Sequence, residues 1–122
     1  MDTDGSERGS RILRGILDAC LLSLVAERDR YGYELAAELR RAGLGIVRDG
    51  SIYPLVARLE RRNLIEGYVV RTDRGQRRRY YRITAAGRTE LDEARALWDQ
   101  VAGGVHAVLH PPPAGGAPHG DA

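Results

Sequence analysis

Residues 65–84 read Ile65-Glu66-Gly67-Tyr68-Val69-Val70-Arg71-Thr72-Asp73-Arg74-Gly75-Gln76-Arg77-Arg78-Arg79-Tyr80-Tyr81-Arg82-Ile83-Thr84. The segments 65–72 and 77–84 are rich in Tyr, Val and Ile, the composition of strands. Asp73-Arg74-Gly75-Gln76 between them reads as a hairpin turn, with Gly75 at a position that needs positive φ. Upstream of Asn63 the apolar period is about 3.6 residues rather than 2. Ile52, Leu55, Val56 and Leu59 fall on one helix face, behind a start signal at Asp49-Gly50-Ser51. Ser51 is the expected cap, which puts Pro54 in the first turn, where no backbone N–H is needed.

Further out, Ile12, Leu13, Ile16, Leu17, Cys20, Leu21, Leu24 and Val25 predict a first helix from Ser10 to about Glu27. Arg28-Asp29-Arg30 and Gly32 end it. A second helix follows from about Tyr33 to Ala42, stopped by Gly43 and Gly45. Thr84 caps a last helix reaching about Leu109, before Pro111-Pro112-Pro113. The order is helix, helix, helix, hairpin, long helix. The expected fold is therefore mainly α with a small β-hairpin, a winged helix-turn-helix plus a long C-terminal dimerisation helix. Its divisions are a disordered 1–9, the winged helix-turn-helix over 10–84, the dimerisation helix over 85–110 and a disordered Pro/Gly-rich tail over 111–122.

The 122 residues suffice for one domain, with 43% hydrophobic and 30% charged residues. The net charge of +2 averages two unlike regions. From Arg40 to Arg88 thirteen Arg face four acids, a balance of +9, while the rest of the chain carries −7. A basic centre of this kind predicts a polyanionic partner. The lone Cys20 excludes an intrachain disulfide and fits a small core residue in a reducing cytosol. No apolar stretch is long enough for a membrane span, and the polar N-terminus lacks the pattern of a signal peptide, so a cytoplasmic protein with no membrane partner is expected. No nucleophile–base arrangement stands out, and Gly43-x-Gly45 follows a helix rather than a strand, so neither an enzyme nor a nucleotide cofactor is expected. His106 and His110 are spaced i, i+4, but their place in the last helical turn reads as surface or dipole complement, not as a metal site.

On the third helix the outward residues are Tyr53, Arg58, Arg61 and Arg62, with Ser51 and Pro54 at its start. A short helix with a small polar N-terminus fits the major groove, and the planar fork of Arg suits phosphates and guanine edges. Arg74, Arg77, Arg78 and Arg79 crowd the hairpin with only Asp73 opposite, and a wing laid along phosphates would neutralise them. Ser51, Tyr53 and Arg58 are assigned to base readout. Arg48, Arg61 and Arg62 are assigned to phosphates, and Tyr31, Pro54 and Gln76 join the DNA-facing set.

Four blocks carry a family resemblance: Tyr31-Gly32-Tyr33-Glu34-Leu35, Gly50-Ser51-Ile52-Tyr53-Pro54-Leu55, Arg58-Leu59-Glu60, and Arg79-Tyr80-Tyr81-Arg82-Ile83-Thr84-Ala85-Ala86-Gly87. Over about residues 10–109 the chain resembles the PadR family of bacterial transcriptional regulators, in its short form with a single C-terminal helix. The resemblance implies a dimeric repressor on double-stranded DNA with an inverted repeat. It also implies Tyr53 at the DNA-facing start of the recognition helix, and Tyr81 packed under the wing.

The last helix argues for self-association separately. Leu91, Trp98 and Val105 are seven residues apart, as are Ala94, Val101 and Val108, the two rows of a coiled-coil seam. With Leu13 and Leu17 of helix one they form the expected dimer interface. Gly103-Gly104 predicts fraying or a kink near its end. Trp98 reads first as interface core. The resemblance adds an effector role, since some short relatives hold flat aromatic molecules beside a tryptophan here. The alternative function at this level is a winged-helix protein-interaction module without DNA specificity.

Overall fold

The computed structural model describes residues 15–45 and 49–114. After a turn at Gly15-Ile16, helix α1 spans Leu17–Glu27, β1 Arg30–Tyr31, α2 Gly32–Arg41, α3 Asp49–Arg61, β2 Ile65–Arg71, β3 Arg77–Ile83 and α4 Ala85–Leu109. The expected helices and hairpin are present within these bounds, except that the first helix, expected as one run from Ser10, begins only at Leu17 because Gly15-Ile16 form a turn ahead of it. Ser10–Arg14, and with them Leu13 of the expected dimer seam, lie outside the described residues, as do Arg48, the N-terminal segment and residues 115–122.

Four helices pack around a core of Leu21, Leu22, Leu35, Ile52, Val56, Leu59 and Ile65, all essentially free of solvent contact. Ile52, Val56 and Leu59 repeat at four and three residues, which turns one face of α3 inward. Leu64, Tyr81 and Leu91 extend this core under the sheet and onto α4. Cys20 packs at its edge, and burial pushes its thiol pKa up.

The sheet holds three strands in the order β1-β3-β2, all antiparallel. The hairpin register pairs Ile65 with Ile83, Tyr68 with Tyr80 and Arg71 with Arg77. Gly75 adopts φ +83° in the turn, as expected. Thr72 closes that turn: its N–H donates to the Gln76 carbonyl at 2.7 Å and its Oγ1 accepts from the Gln76 N–H at 3.1 Å. The third strand was not foreseen, because Arg28-Asp29-Arg30 reads only as a helix stop. β1 is two residues long and exists through its pairing of Arg30 with Tyr81 and Tyr31 with Tyr80. That pairing turns Arg30 inward, where it is only 4% exposed. Its Nε donates to the Leu24 carbonyl at 2.9 Å and its Nη2 to Glu27 at 2.5 Å, so the buried cation closes the end of α1.

Two expectations about helix ends are corrected. α3 begins at Asp49, so Ser51 lies inside it and is not its cap, and Pro54 is an interior residue. The missing proline N–H leaves only the Gly50 carbonyl without its helical donor, near a terminus where such loss is tolerated. α4 runs unbroken through Gly103-Gly104 to Leu109. The helical bonds on either side outweigh the propensity deficit of about 1 kcal/mol per glycine. At its start Thr84 caps α4 as predicted, Oγ1 accepting from the Gly87 N–H at 3.0 Å. The same hydroxyl donates to the Asn63 carbonyl at 2.7 Å, which ties α4 to the loop after α3.

Candidate nucleic-acid interface

The outward face of α3 is built by default: once Ile52, Val56 and Leu59 turn inward, Tyr53, Pro54, Arg58, Arg61 and Arg62 face solvent. Tyr53 is 54% exposed, yet its ring rests on α2. A β-carbon added to Gly32 would lie 2.6 Å from the Tyr53 ring, so this contact requires glycine. Two blocks twenty residues apart in sequence thus form one surface. Ser51 lies at the start of the same helix.

The arginines divide into held and open ones. Nη2 of Arg58 donates to both carboxylate oxygens of Asp18 on α1, at 2.7 and 2.9 Å. Arg62 lies between Asp18 at 3.9 Å and Glu90 of α4 at 3.6 Å. In the wing, Arg79 reaches back to Glu60 of α3 at 2.5 Å, and this bond raises the arginine pKa. Nη1 of Arg78 donates to the Tyr31 hydroxyl at 3.1 Å, and its guanidinium stacks 4.7 Å from the Tyr31 ring centre. Arg61 on α3, Arg71 on β2, and Arg74 and Arg77 at the wing end are exposed and in no ion pair among the described residues. Gln76 is exposed beside them.

The structure therefore revises the wing electrostatics. Asp73 is not the only compensation, because Glu60 and Tyr31 already occupy Arg79 and Arg78. Sequence separation conceals these partners: 40 residues for Arg58–Asp18, 47 for Arg78–Tyr31 and 19 for Arg79–Glu60.

A tyrosine row was also missed. Tyr31 of β1, Tyr80 of β3 and Tyr68 of β2 share the outer face of the sheet, with centroid spacings of 5.3 and 6.0 Å. Tyr33 continues the row beside Tyr31. Arg82 stacks on Tyr68, whose hydroxyl donates to Asp29, a bond that raises the phenol pKa. Strand alternation marks Tyr68 and Tyr80 for one face, but without β1 the row could not be completed. On the inner face Tyr81 is buried beneath the sheet, and burial raises its pKa.

Away from this surface α4 carries an apolar strip. Trp98 is 44% exposed, Val101 46%, Val105 51% and Val108 79%, with Leu97 and Leu109 also exposed. Ala94 is half-buried. Leu17 and Leu91, assigned to the same seam from sequence, are instead buried in the chain's own core. Their place near the junction of α1 and α4 accounts for this, since the core ends there and α4 continues past it. Apolar hollows of about 340 and 270 Å³ flank Trp98 between α1 and α4. His106 and His110 stand 4.7 Å apart between ring centres in the last turn. No described helix is long and apolar enough to cross a membrane.

Comparison with known proteins places this architecture. Residues 21–93 match the profile of the transcriptional regulator PadR-like family. The chain is similar to a PadR-like transcriptional regulator of Bacillus cereus, at 37% identity and a TM-score of 0.76, over 84% of this chain and all of that one. It is 38% identical over 94 residues to an uncharacterised protein of Lysinibacillus sphaericus, covering 75% of this chain and 86% of that one. It is also 37% identical over 85 residues to a transcriptional regulator of Mycobacterium tuberculosis, covering 67% of this chain and 75% of that protein.

Proposed function

The chain belongs to the PadR-like family of transcriptional regulators, and on that premise we propose that it is a cytoplasmic, homodimeric repressor that binds an inverted repeat in duplex DNA. The observation that carries this reading is the set of open arginines. Arg61 on α3 and Arg71, Arg74 and Arg77 on the hairpin share a small protein with an exposed Tyr53, and none is in an ion pair among the described residues. Phosphates are the natural counterions for such a set. Tyr53 and Ser51 read bases from α3. Arg58 assists with Nε and Nη1, the donor groups that Asp18 leaves free. Arg48 and Arg62 add phosphate contacts, and Arg78 and Arg79 position the wing.

The exposed apolar strip on α4 supports self-association, because a patch this continuous is unusual on a monomer. A dimer also places two reading helices on successive half-sites. A flat aromatic molecule seated beside Trp98 would favour one spacing of those helices and so release DNA.

The test is a gel-shift titration on DNA upstream of the chain's own gene, against random DNA, over a range of salt. A specific complex whose affinity falls steeply with salt is expected. Absence of any specific complex at low salt would overturn the reading in favour of a protein-interaction module.

A further inference from the structure

Asp18 and Arg58 are 40 residues apart, and the fold brings them together where α1 meets the C-terminal half of α3. Nη2 of Arg58 is the nitrogen shared by both two-pronged edges of the guanidinium, and it is the one that donates to Asp18, at 2.7 and 2.9 Å. Arg62, one turn on, stands 3.9 Å from Asp18 and 3.6 Å from Glu90, beyond hydrogen-bond range, so charge alone holds it. Arg61 beside it is exposed and in no ion pair among the described residues. Three arginines at one helix end therefore differ in kind, and what sets Arg58 apart is a carboxylate supplied by α1.

We propose that Asp18 makes Arg58 a reader of neutral base edges by keeping phosphates off it. The assignment deepens the base-readout role given to Arg58 above and rests on it. A phosphate on the remaining donors of Arg58 would share one guanidinium with Asp18, well inside the screening length of about 10 Å at 0.1 M salt. Two anions on one cation repel each other, and that repulsion offsets the attraction of either to Arg58. Guanine instead offers O6 and N7, acceptors without net charge, which Asp18 opposes far less. Counterion release acts in the same direction. An arginine already neutralised within the protein displaces no cation from DNA, so on random sequence Arg58 adds nothing to the salt-dependent attraction. The open Arg61, Arg71, Arg74 and Arg77 supply that attraction, and Arg58 is reserved for the operator. Asp18 lies in the first turn of α1, where it also suits the helix dipole, and its pair with Arg58 ties α1 to α3. Those structural roles predict lost stability when Asp18 is neutralised, not tighter binding to DNA.

The test compares Asp18→Asn, Asp18→Glu and the double variant Asp18→Asn, Arg58→Gln with the wild-type chain. Each is titrated over a range of salt on random duplex DNA and on DNA upstream of the chain's own gene, and thermal unfolding verifies each fold. Asp18→Asn should bind random DNA about fivefold more tightly at low salt, with a salt slope steeper by about 0.9, the increment of one added phosphate contact. Its preference for the operator over random DNA should fall by a similar factor. Asp18→Glu keeps the carboxylate and should keep the wild-type slope. The double variant should return to that slope, because it lacks the cation that Asp18→Asn sets free. An unchanged or shallower slope in folded Asp18→Asn, a steeper slope that persists in the double variant, or an undiminished operator preference would each overturn the assignment. If the wild-type chain forms an operator complex and Asp18→Asn leaves the slope on random DNA unchanged, the repressor reading stands and this one falls. If no operator complex forms while Asp18→Asn steepens the slope through Arg58, the shielding of Arg58 from phosphates stands and the repressor reading falls.

Discussion

The ring of Tyr53, on the outward face of α3, lies directly against Gly32 at the start of α2, at a separation that leaves no room for a β-carbon. The contact explains why Tyr31-Gly32-Tyr33 and Ser51-Ile52-Tyr53-Pro54 belong together: one block supplies the platform and the other the ring. It also gives an exposed aromatic side chain a surface to rest on.

Gly32→Ala should displace that ring. The neighbour that must yield is a side chain, so the stability loss should stay at about 1 kcal/mol, near the lower end for overpacking. Operator affinity should fall more than affinity for random DNA, and Tyr53→Ala should show the same selective loss. Equal losses on both DNAs would remove Tyr53 from base readout.

Gly87→Ala should be worse for the fold. A β-carbon there would approach the Leu64 carbonyl oxygen to 2.1 Å, and backbone cannot rotate away. The same carbonyl accepts from Thr84 N–H at 3.1 Å, so shifting it disturbs the α4 cap region. A loss of about 3 kcal/mol or more in chemical denaturation is expected. An unchanged midpoint would show that α4 can move freely.

The division between held and open arginines predicts different salt behaviour. Arg74→Ala and Arg77→Ala should each lower the salt slope of DNA binding by about one, with uniform weakening on operator and random DNA. Arg78→Ala should also weaken both DNAs alike, through loss of the Tyr31-anchored wing position. Arg79→Ala should change the slope less, because Glu60 already neutralises that charge. A slope change as large as for Arg74 would show that the Glu60 pair opens on DNA.

Cys20 should alkylate slowly at neutral pH. Burial raises its pKa, so the reactive thiolate is scarcer in the folded chain than in the unfolded one. A folded pKa above the unfolded value means that the thiol's contribution to stability is present below the ordinary thiol range and is lost as pH rises through the raised value. Iodoacetamide labelling, followed by mass, should be several-fold faster in denaturant. Equal rates would place the thiol in the open.

Val105→Asp should separate the proposed dimer without unfolding the chain. Val105 is 51% exposed, so the monomer has room for the carboxylate, but an apolar seam does not. Light scattering should report half the mass, with thermal unfolding made concentration-independent. A dimer that persists would move the interface elsewhere.

The amino-acid sequence specifies the elements, because their signals are local: the change of period after Asn63, the turn at Gly75, the cap at Thr84. It also determined that the Arg-rich centre falls on the third helix and the hairpin. What those residues do next depends on contacts between segments far apart in the chain. β1 exists only because β3 offers an edge to Arg30 and Tyr31, and Arg30 is buried only because β1 exists. Arg58 and Arg79 face carboxylates that no spacing rule connects to them. Leu91 and Trp98 occupy equivalent places in one heptad row, yet Leu91 is 3% exposed and Trp98 44%. Periodicity identifies the face of a helix, but where the rest of the chain ends determines how much of that face is covered.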